Sequence, residues 1–301
     1  MKVAVTGATG TIGRAVVREL VERGDDVVAL SRDASKAGLG PGVEVVEWRA
    51  PKEEPAPTSA FADVVGVIHL LGEPVAQRWT DDAKREIRDS RVLGTRNLVA
   101  GLRGAGPRLS VLVGQSAIGY YGARGDEVVG ESADPGSDFL AGVVVDWEAE
   151  LSKGASELGL RAPVCRTGVV LSPTGGALAQ MLTPFKLGVG GPVAGGRQYL
   201  PWIHIDDVVG ALLFALDSPQ ADGPLNVTAP SPVTNKEFSK ALGRALHRPA
   251  VTPVPGFAIK LLYGEMSTIV TTGVRAEPKR LLELGYSFRE PDLDHALEAA
   301  L

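Results

Sequence analysis

The chain has 301 residues, a formal net charge of -5, and 44% hydrophobic against 22% charged residues. That balance supplies a sizeable core and excludes a disordered chain. It argues against a nucleic-acid binder working through a basic surface, while leaving room for a local pocket for one phosphate.

Residues 3–6 form a short apolar run bounded by glycine, which reads as a buried parallel strand. The run is too short for the apolar part of a signal peptide. Residues 13–23 have helical spacing, and Gly24 ends that helix. Strand character returns at 27–31, 43–48, 64–71, 109–114 and 162–171, with a proline-rich surface connection at 51–57. Long helical patterns occupy 81–102 and 139–158. Strands alternating with helices predict an α/β fold with a doubly wound parallel sheet. After residue 175 the pattern loosens into a glycine-rich stretch reaching 196. Asp206 and Asp207 precede the apolar run 208–216 and read as helix caps. A strand at 224–227, a helix at 235–246 and a helix-rich tail with proline breaks complete the chain. The expected division is a doubly wound core over 1–172, with 200–228 returning to it, and a smaller lobe mainly over 173–301 that includes a helical domain at 249–297. No apolar stretch approaches the roughly 20 residues of a membrane span. The expectation is a cytoplasmic protein with a small-molecule substrate and neither nucleic-acid nor membrane partners. One cysteine, Cys165, suits a reducing compartment, and no metal site is read.

The loop between the first strand and helix carries the strongest chemistry. Gly7 allows the tight turn out of the strand, Gly10 lets the backbone approach a pyrophosphate, and Gly13 lets the helix pack on the sheet. With Thr9, Thr11 and Ile12 they form a dinucleotide cradle at a helix N-terminus. The second strand ends Ser31-Arg32, with no acid at the strand end to accept from a ribose 2′-hydroxyl. Both side chains can donate to a 2′-phosphate, which points to NADP(H). The alternative is a surface arginine, with Asp33 as a displaced ribose ligand.

These residues resemble the extended short-chain dehydrogenase/reductase superfamily. Four further segments are similar to its atypical epimerase group, which carries a C-terminal domain of unknown function. They are His69-Leu70-Leu71-Gly72-Glu73-Pro74; Arg78-Trp79-Thr80 with Ser90-Arg91-Val92-Leu93-Gly94-Thr95; Ser116-Ala117-Ile118-Gly119-Tyr120-Tyr121-Gly122; and Pro201-Trp202-Ile203-His204-Ile205-Asp206-Asp207. The resemblance implies a Rossmann core, a small C-terminal substrate lobe and NADP(H) at the strand ends. It gives little about substrate. Leu70, Leu71 and Gly72 should line the adenine-ribose side. Ser116 falls where the family's serine polarises the substrate. The family's Tyr-x-x-x-Lys pair falls on Phe139 and Val143, which can neither move a proton nor hold a ribose. Tyr120 and Tyr121 are substitute proton sources, or else an aromatic lid. Arg91 takes the place of a family asparagine and can reach the cofactor, with Glu86 able to orient it or to accept from a ribose hydroxyl. Asp146 and Glu148 read as solvated or capping charges. His204 reads as a structural hydrogen-bond donor. Arg166 and Val169 should lie near the nicotinamide carboxamide or the substrate. Residues 175–196 read as a flexible cover, with Arg197, Gln198 and Tyr199 available to a polar substrate, sugar-nucleotide-like ligands included. An NADP(H)-dependent oxidoreductase or epimerase and a catalytically degenerate NADP(H)-binding protein both remain open. A homodimer through helices 81–102 and 139–158 is also open.

Overall fold

Short β-branched runs alternating with helical segments leave each strand apolar on both sides, so helices must cover both faces of the sheet. A computed structural model, which describes all 301 residues, has this arrangement. The first half of the chain runs β1 (Lys2–Thr6), α1 (Thr11–Glu22), β2 (Asp26–Ser31), β3 (Val43–Glu47), β4 (Gly66–His69), α2 (Asp81–Leu102), β5 (Val111–Ala117), a short β6 (Val128–Val129), α3 (Phe139–Leu158) and β7 (Pro163–Thr167). There follow β8 (Val169–Leu171), α4 (Gly176–Lys186), β9 (Tyr199–Leu200), β10 (Trp202–His204), α5 (Ile205–Asp217), β11 (Gly223–Val227), β12 (Val233–Thr234) and α6 (Asn235–Ala245). The tail holds α7 (Gly256–Tyr263), α8 (Thr268–Thr271), β13 (Arg275–Ala276), α9 (Lys279–Glu283) and α10 (Leu293–Ala299).

Seven parallel strands form the main sheet in the order β11-β7-β5-β4-β1-β2-β3. The order reverses between β1 and β4, where Val3 pairs with Gly66 on one side and Val27 on the other. A crevice at the C-terminal strand ends is expected at that switch. Side-chain alternation decides the layers. Val3 and Val5 pack with Val16, Leu20, Val208 and Leu212 of α1 and α5. Ala4 and Val28 face the other way, toward Leu98 and Leu102 of α2 and Leu151. The outer faces of α2 and α3 are joined by Arg88–Asp146, Arg96–Glu150 and Arg103–Glu157 pairs, a solvated surface whose pairs add little stability.

Several sequence expectations shift. The expected strand 162–171 is two strands: Gly168 breaks it, and β8 leaves the main sheet to pair with β10. The glycine-rich stretch after 175 is not a loop throughout, because it opens with α4. The cap of α5 is His204, whose Nδ1 accepts from the Asp206 amide at 3.3 Å. Asp207 is not a cap. It is fully buried and accepts from the Tyr286 hydroxyl (3.1 Å) and the amides of Arg289 (2.7 Å) and Glu290 (2.9 Å). One carboxylate thus fastens the tail to α5. A second lobe core gathers Leu171, Leu178, Trp202, Phe238, Leu242 and Leu297. The tail also returns to the main body, where β13 pairs with β6. No helix is long and apolar enough to cross a membrane.

Candidate functional site

The cradle is built first. β1 ends at Thr6, and Gly7 turns the chain at φ +64°. A Cβ on Gly7 would lie 2.5 Å from the Leu70 carbonyl oxygen, and one on Gly13 would lie 2.2 Å from the Gly7 oxygen. Both neighbours are backbone, so neither yields, and only glycine fits. Helix α1 starts after Gly10 with no side-chain cap and no acid in its first turn. Its free N–H groups and positive dipole end are therefore not neutralised from within the chain. This donor set fits a pyrophosphate. Residue 175 lies against the same helix end, since a Cβ there would lie 2.2 Å from Thr11 Oγ1. Ile12 packs against the sheet core, and the Thr9 carbonyl accepts from Arg14 Nε at 3.1 Å. Arg14 also donates to the carbonyls of Ala37 (3.0 Å) and Gly38 (2.9 Å), tying the cradle to the loop after β2. Sequence reasoning missed Arg14. Its signal was a cation in a helix's first turn, where it opposes the dipole unless an anion is near.

At the end of β2 the Ser31 hydroxyl donates to the Asp33 carbonyl at 3.0 Å. Asp33 accepts from the Ser35 amide (3.1 Å) and hydroxyl (2.6 Å) and pairs with Lys36 (2.9 Å). Those contacts occupy its carboxylate and leave it poorly placed as a ribose ligand. Arg32 is exposed and has no partner within the chain. Cation without acid is the arrangement that suits a 2′-phosphate.

Across the sheet switch, the Leu70 amide donates to Thr6 Oγ1 at 3.2 Å, and Leu71 packs against Gly94. A Cβ on Gly72 would lie 3.1 Å from the Arg91 guanidinium carbon, so Gly72 and Arg91 lie together. Arg91 donates to the Ile87 carbonyl at 2.9 Å and stacks 5.2 Å from the Trp147 ring. Burial lowers its pKa to about 10, with Glu73 opposing weakly. The guanidinium is half-buried with one N–H bonded within the chain, which leaves its other donors free for a ligand. The Trp147 indole N–H is also buried without an acceptor. Glu86 does not orient Arg91. Its carboxylate is held by Lys52 at 2.6 and 2.8 Å near the surface.

The ends of β5 and β7 carry a buried polar network. The Ser116 hydroxyl donates to Glu148 Oε1 at 2.5 Å. Glu148 takes two bonds from Arg166, at 2.9 and 2.8 Å. Arg166 donates on to the Tyr121 hydroxyl (3.0 Å) and the Glu131 carbonyl (3.1 Å), and its guanidinium covers the Tyr120 ring at 3.4 Å. Tyr121 donates to Asn226 Oδ1 at 2.7 Å. Burial alone would lower the Arg166 pKa, but the Glu148 pair raises it above the ordinary arginine value. Two expectations fail here. Glu148 is not a solvated charge, because it is the sheltered partner of a buried arginine. Tyr121 is wholly buried, its hydroxyl is engaged, and burial pushes its pKa upward, so it does not face a substrate. His204 accepts rather than donates at Nδ1, and its buried Nε2 has no partner.

Beside this network opens a cleft of about 360 Å³. Ala117, Phe139, Thr167, Val169, Tyr199 and Ile269 are among its lining residues. Phe139 meets Trp79 edge-on at 5.2 Å and lies under Lys84 at 5.0 Å. The lining contains no lysine or arginine. Its charged residues, Asp138 and Glu265, are engaged with the Ala141 amide (2.9 Å) and Lys84 (2.5 Å). The Lys84–Glu265 pair holds the tail against the start of α2. Tyr199 is the tyrosine that lines the cleft, whereas Tyr120 and Tyr121 do not.

The model of the NAD dependent epimerase/dehydratase family matches residues 3–228, and that of a domain of unknown function, DUF1731, matches 254–300. The epimerase family protein YfhF of Bacillus subtilis is 35% identical, over 99% of this chain and 97% of its own length. The mouse epimerase family protein SDR39U1 is 37% identical over 99% of each chain. The crystal structure of human SDR39U1 (isoform 2) with NADPH superposes with a TM-score of 0.87 at 33% identity, covering 100% of this chain and 99% of that one. The UDP-glucuronic acid 4-epimerase of Bacillus cereus, in complex with NAD, has a TM-score of 0.79 at 17% identity over 99% and 94% of the two chains, a likeness of fold alone.

Proposed function

This chain belongs to the NAD dependent epimerase/dehydratase family, and from that premise we propose that it is an NADP(H)-dependent oxidoreductase or epimerase acting on a small, largely apolar carbonyl or hydroxyl compound. The observation that carries the cofactor assignment is the uncapped, acid-free start of α1 together with the unpartnered Arg32. The NADPH complex of human SDR39U1 supports it. In this reading Gly7, Thr9, Gly10, Thr11, Ile12 and Gly13 hold the pyrophosphate, with Ser31 and Arg32 at the 2′-phosphate. Leu70, Leu71 and Gly72 flank the adenosine. Arg91 supplies charge that the missing lysine does not, Val169 borders the nicotinamide end with Ser116 and Arg166 buried behind it, and Glu86, about one turn before Arg91, stays with Lys52. When bound, the nicotinamide supplies reversible two-electron transfer.

The chain's own residues must bind, orient and move protons. Phe139 at the cleft wall offers shape and no proton. Ser116 commits its single hydroxyl proton to Glu148 and lies buried just behind the cleft lining, so it braces the wall in a fixed orientation. Glu148 and Arg166 fix that orientation and exclude water from beneath the site. The tyrosine available to a ligand is Tyr199, and its phenol is the best-placed proton source. A sugar nucleotide fits poorly, because its diphosphate would find no cation in the lining. In this reading 1–172 with 200–228 acts as the cofactor half, and the rest of 173–301 mainly as the substrate half.

The competing reading is a protein that binds NADP(H) without turning over a substrate. Phe139 and Val143 at the acid/base positions favour it. Following NADPH absorbance with a panel of apolar aldehydes, ketones and quinones separates the two. The enzyme reading expects turnover with at least one, lost in Tyr199→Phe with cofactor binding retained. Tight NADPH binding with no turnover across the panel, and no carbon epimerised, overturns it in favour of the binder.

A further inference from the structure

The C-terminal lobe carries an apolar patch and a basic groove side by side. Leu187, Val189, Val251, Phe257, Leu261 and Leu262 are 73%, 56%, 79%, 75%, 77% and 65% exposed. Helix α7 has no buried residue at all. Single exposed apolar side chains need no explanation, but six large ones on adjoining segments do. The segments adjoin because Val193 bridges to Val254, and a Cβ on Gly256 would lie 3.3 Å from Ala194. The groove, of about 830 Å³, is lined by Lys236, Lys240, Arg244, His247 and Arg248. Lys236, Lys240 and Arg244 stand four residues apart on α6, which places them in one stripe. Within this cluster Arg244 alone has an acidic partner, Asp294 at 2.6 Å. His247 is held at φ +52°, in the position after a helix where glycine is the ordinary choice. Groove and patch share Val251, and Arg248 Nε donates to the Lys186 carbonyl at 3.2 Å, directly beside Leu187.

We propose that this face is a peripheral docking surface for an anionic lipid bilayer. Apolar side chains would enter the headgroup boundary while the flanking lysines and arginines meet lipid phosphates and carboxylates. The charge pattern selects this occupant. The chain as a whole is acidic, at -5, yet one cluster of its lysines and arginines lies beside its most exposed apolar residues. A second copy meeting the same face about a two-fold axis would set like charges against each other. The lack of a long apolar run in the sequence argues against a span. It does not bear on a face assembled from three separate segments.

The test is co-sedimentation of the full chain with vesicles of phosphatidylcholine, and of phosphatidylcholine mixed equally with phosphatidylserine. Binding is expected to the mixture and to fall with added salt. Lys236→Glu combined with Lys240→Glu should weaken it by at least roughly fivefold for each cation lost, and further through the acid that replaces it. Phe257→Asp combined with Leu261→Asp should abolish it. All four positions are exposed, so the thermal midpoint and far-UV spectrum should not change. Equal affinity for both vesicle types, or binding indifferent to either pair, overturns the proposal. So does a chain that ignores vesicles and changes from dimer to monomer when Phe257 and Leu261 are replaced.

Discussion

The glycine cradle and the buried polar network at the ends of β5 and β7 are built in different ways. The cofactor end is made from a single short stretch, 7–13, with Arg32 close behind it in sequence. The network is made from Ser116, Tyr121, Glu148, Arg166 and Asn226, which four separate elements and a short 3-10 turn bring together. A local motif can be read because strand, glycine and helix N-terminus follow one another in the chain. A network assembled by the sheet order cannot be read that way, since β5, β7 and β11 become neighbours only in the folded sheet. The cradle and the buried network therefore rest on different residues, and each can be broken without the other.

The largest effect is expected in the buried network. Glu148→Ala leaves Arg166 as an unpaired buried cation and should cost about 3–5 kcal/mol of stability, read by denaturant unfolding. A cost near that of a surface pair would mean that the network is not the sheltered unit described. At the cofactor end, Gly13→Ala forces a methyl group against the Gly7 carbonyl. It should weaken NADPH binding by about tenfold to a hundredfold, with a smaller loss of stability. Unchanged affinity would break the contrast between the two ends.

A third prediction concerns the frame beneath both. His69 bonds Thr6 (2.7 Å) and Thr95 (3.0 Å), and burial lowers its pKa to about 3. The unfolded histidine, near 6.5, binds a proton that the folded one refuses. Stability should therefore be full above about pH 6.5 and decline as pH falls toward 3, by at most about 1.4 kcal/mol per pH unit from this group. In His69→Gln that part of the slope should disappear. An identical pH profile would contradict a neutral buried imidazole. The smallest effect is chemical silence. Burial pushes the Cys165 thiol up to about 12, so thiol reagents at neutral pH should label it only after unfolding.

Legibility followed the same division. The strands and helices of the core were readable because their apolar period is regular, with the edges off by one to three residues. The break at Gly168 was not readable, because it depends on Gly168 donating to Val227 at 3.0 Å from a strand far along the chain. Asp207 looked like a helix cap by spacing. Its true role appears only when Tyr286 and Arg289 return to it from the tail. Glu148 looked solvated because Asp146, two residues before it, is indeed exposed to solvent in a surface pair. Nothing local says that Arg166 lies behind it. Tyr121 stood beside Ser116 in the sequence, yet it turns inward to Asn226. Arg14, by contrast, was locally visible as a cation at the wrong end of a helix.

The most direct test of the account is a calorimetric titration of the native chain and of Arg32→Ala with NADPH and with NADH. The native chain should prefer NADPH by about tenfold or more, the value of a charged hydrogen bond to the 2′-phosphate. Arg32→Ala should lose that preference while its NADH affinity stays the same. Equal or tighter binding of NADH by the native chain, or a preference that survives in Arg32→Ala, would contradict it.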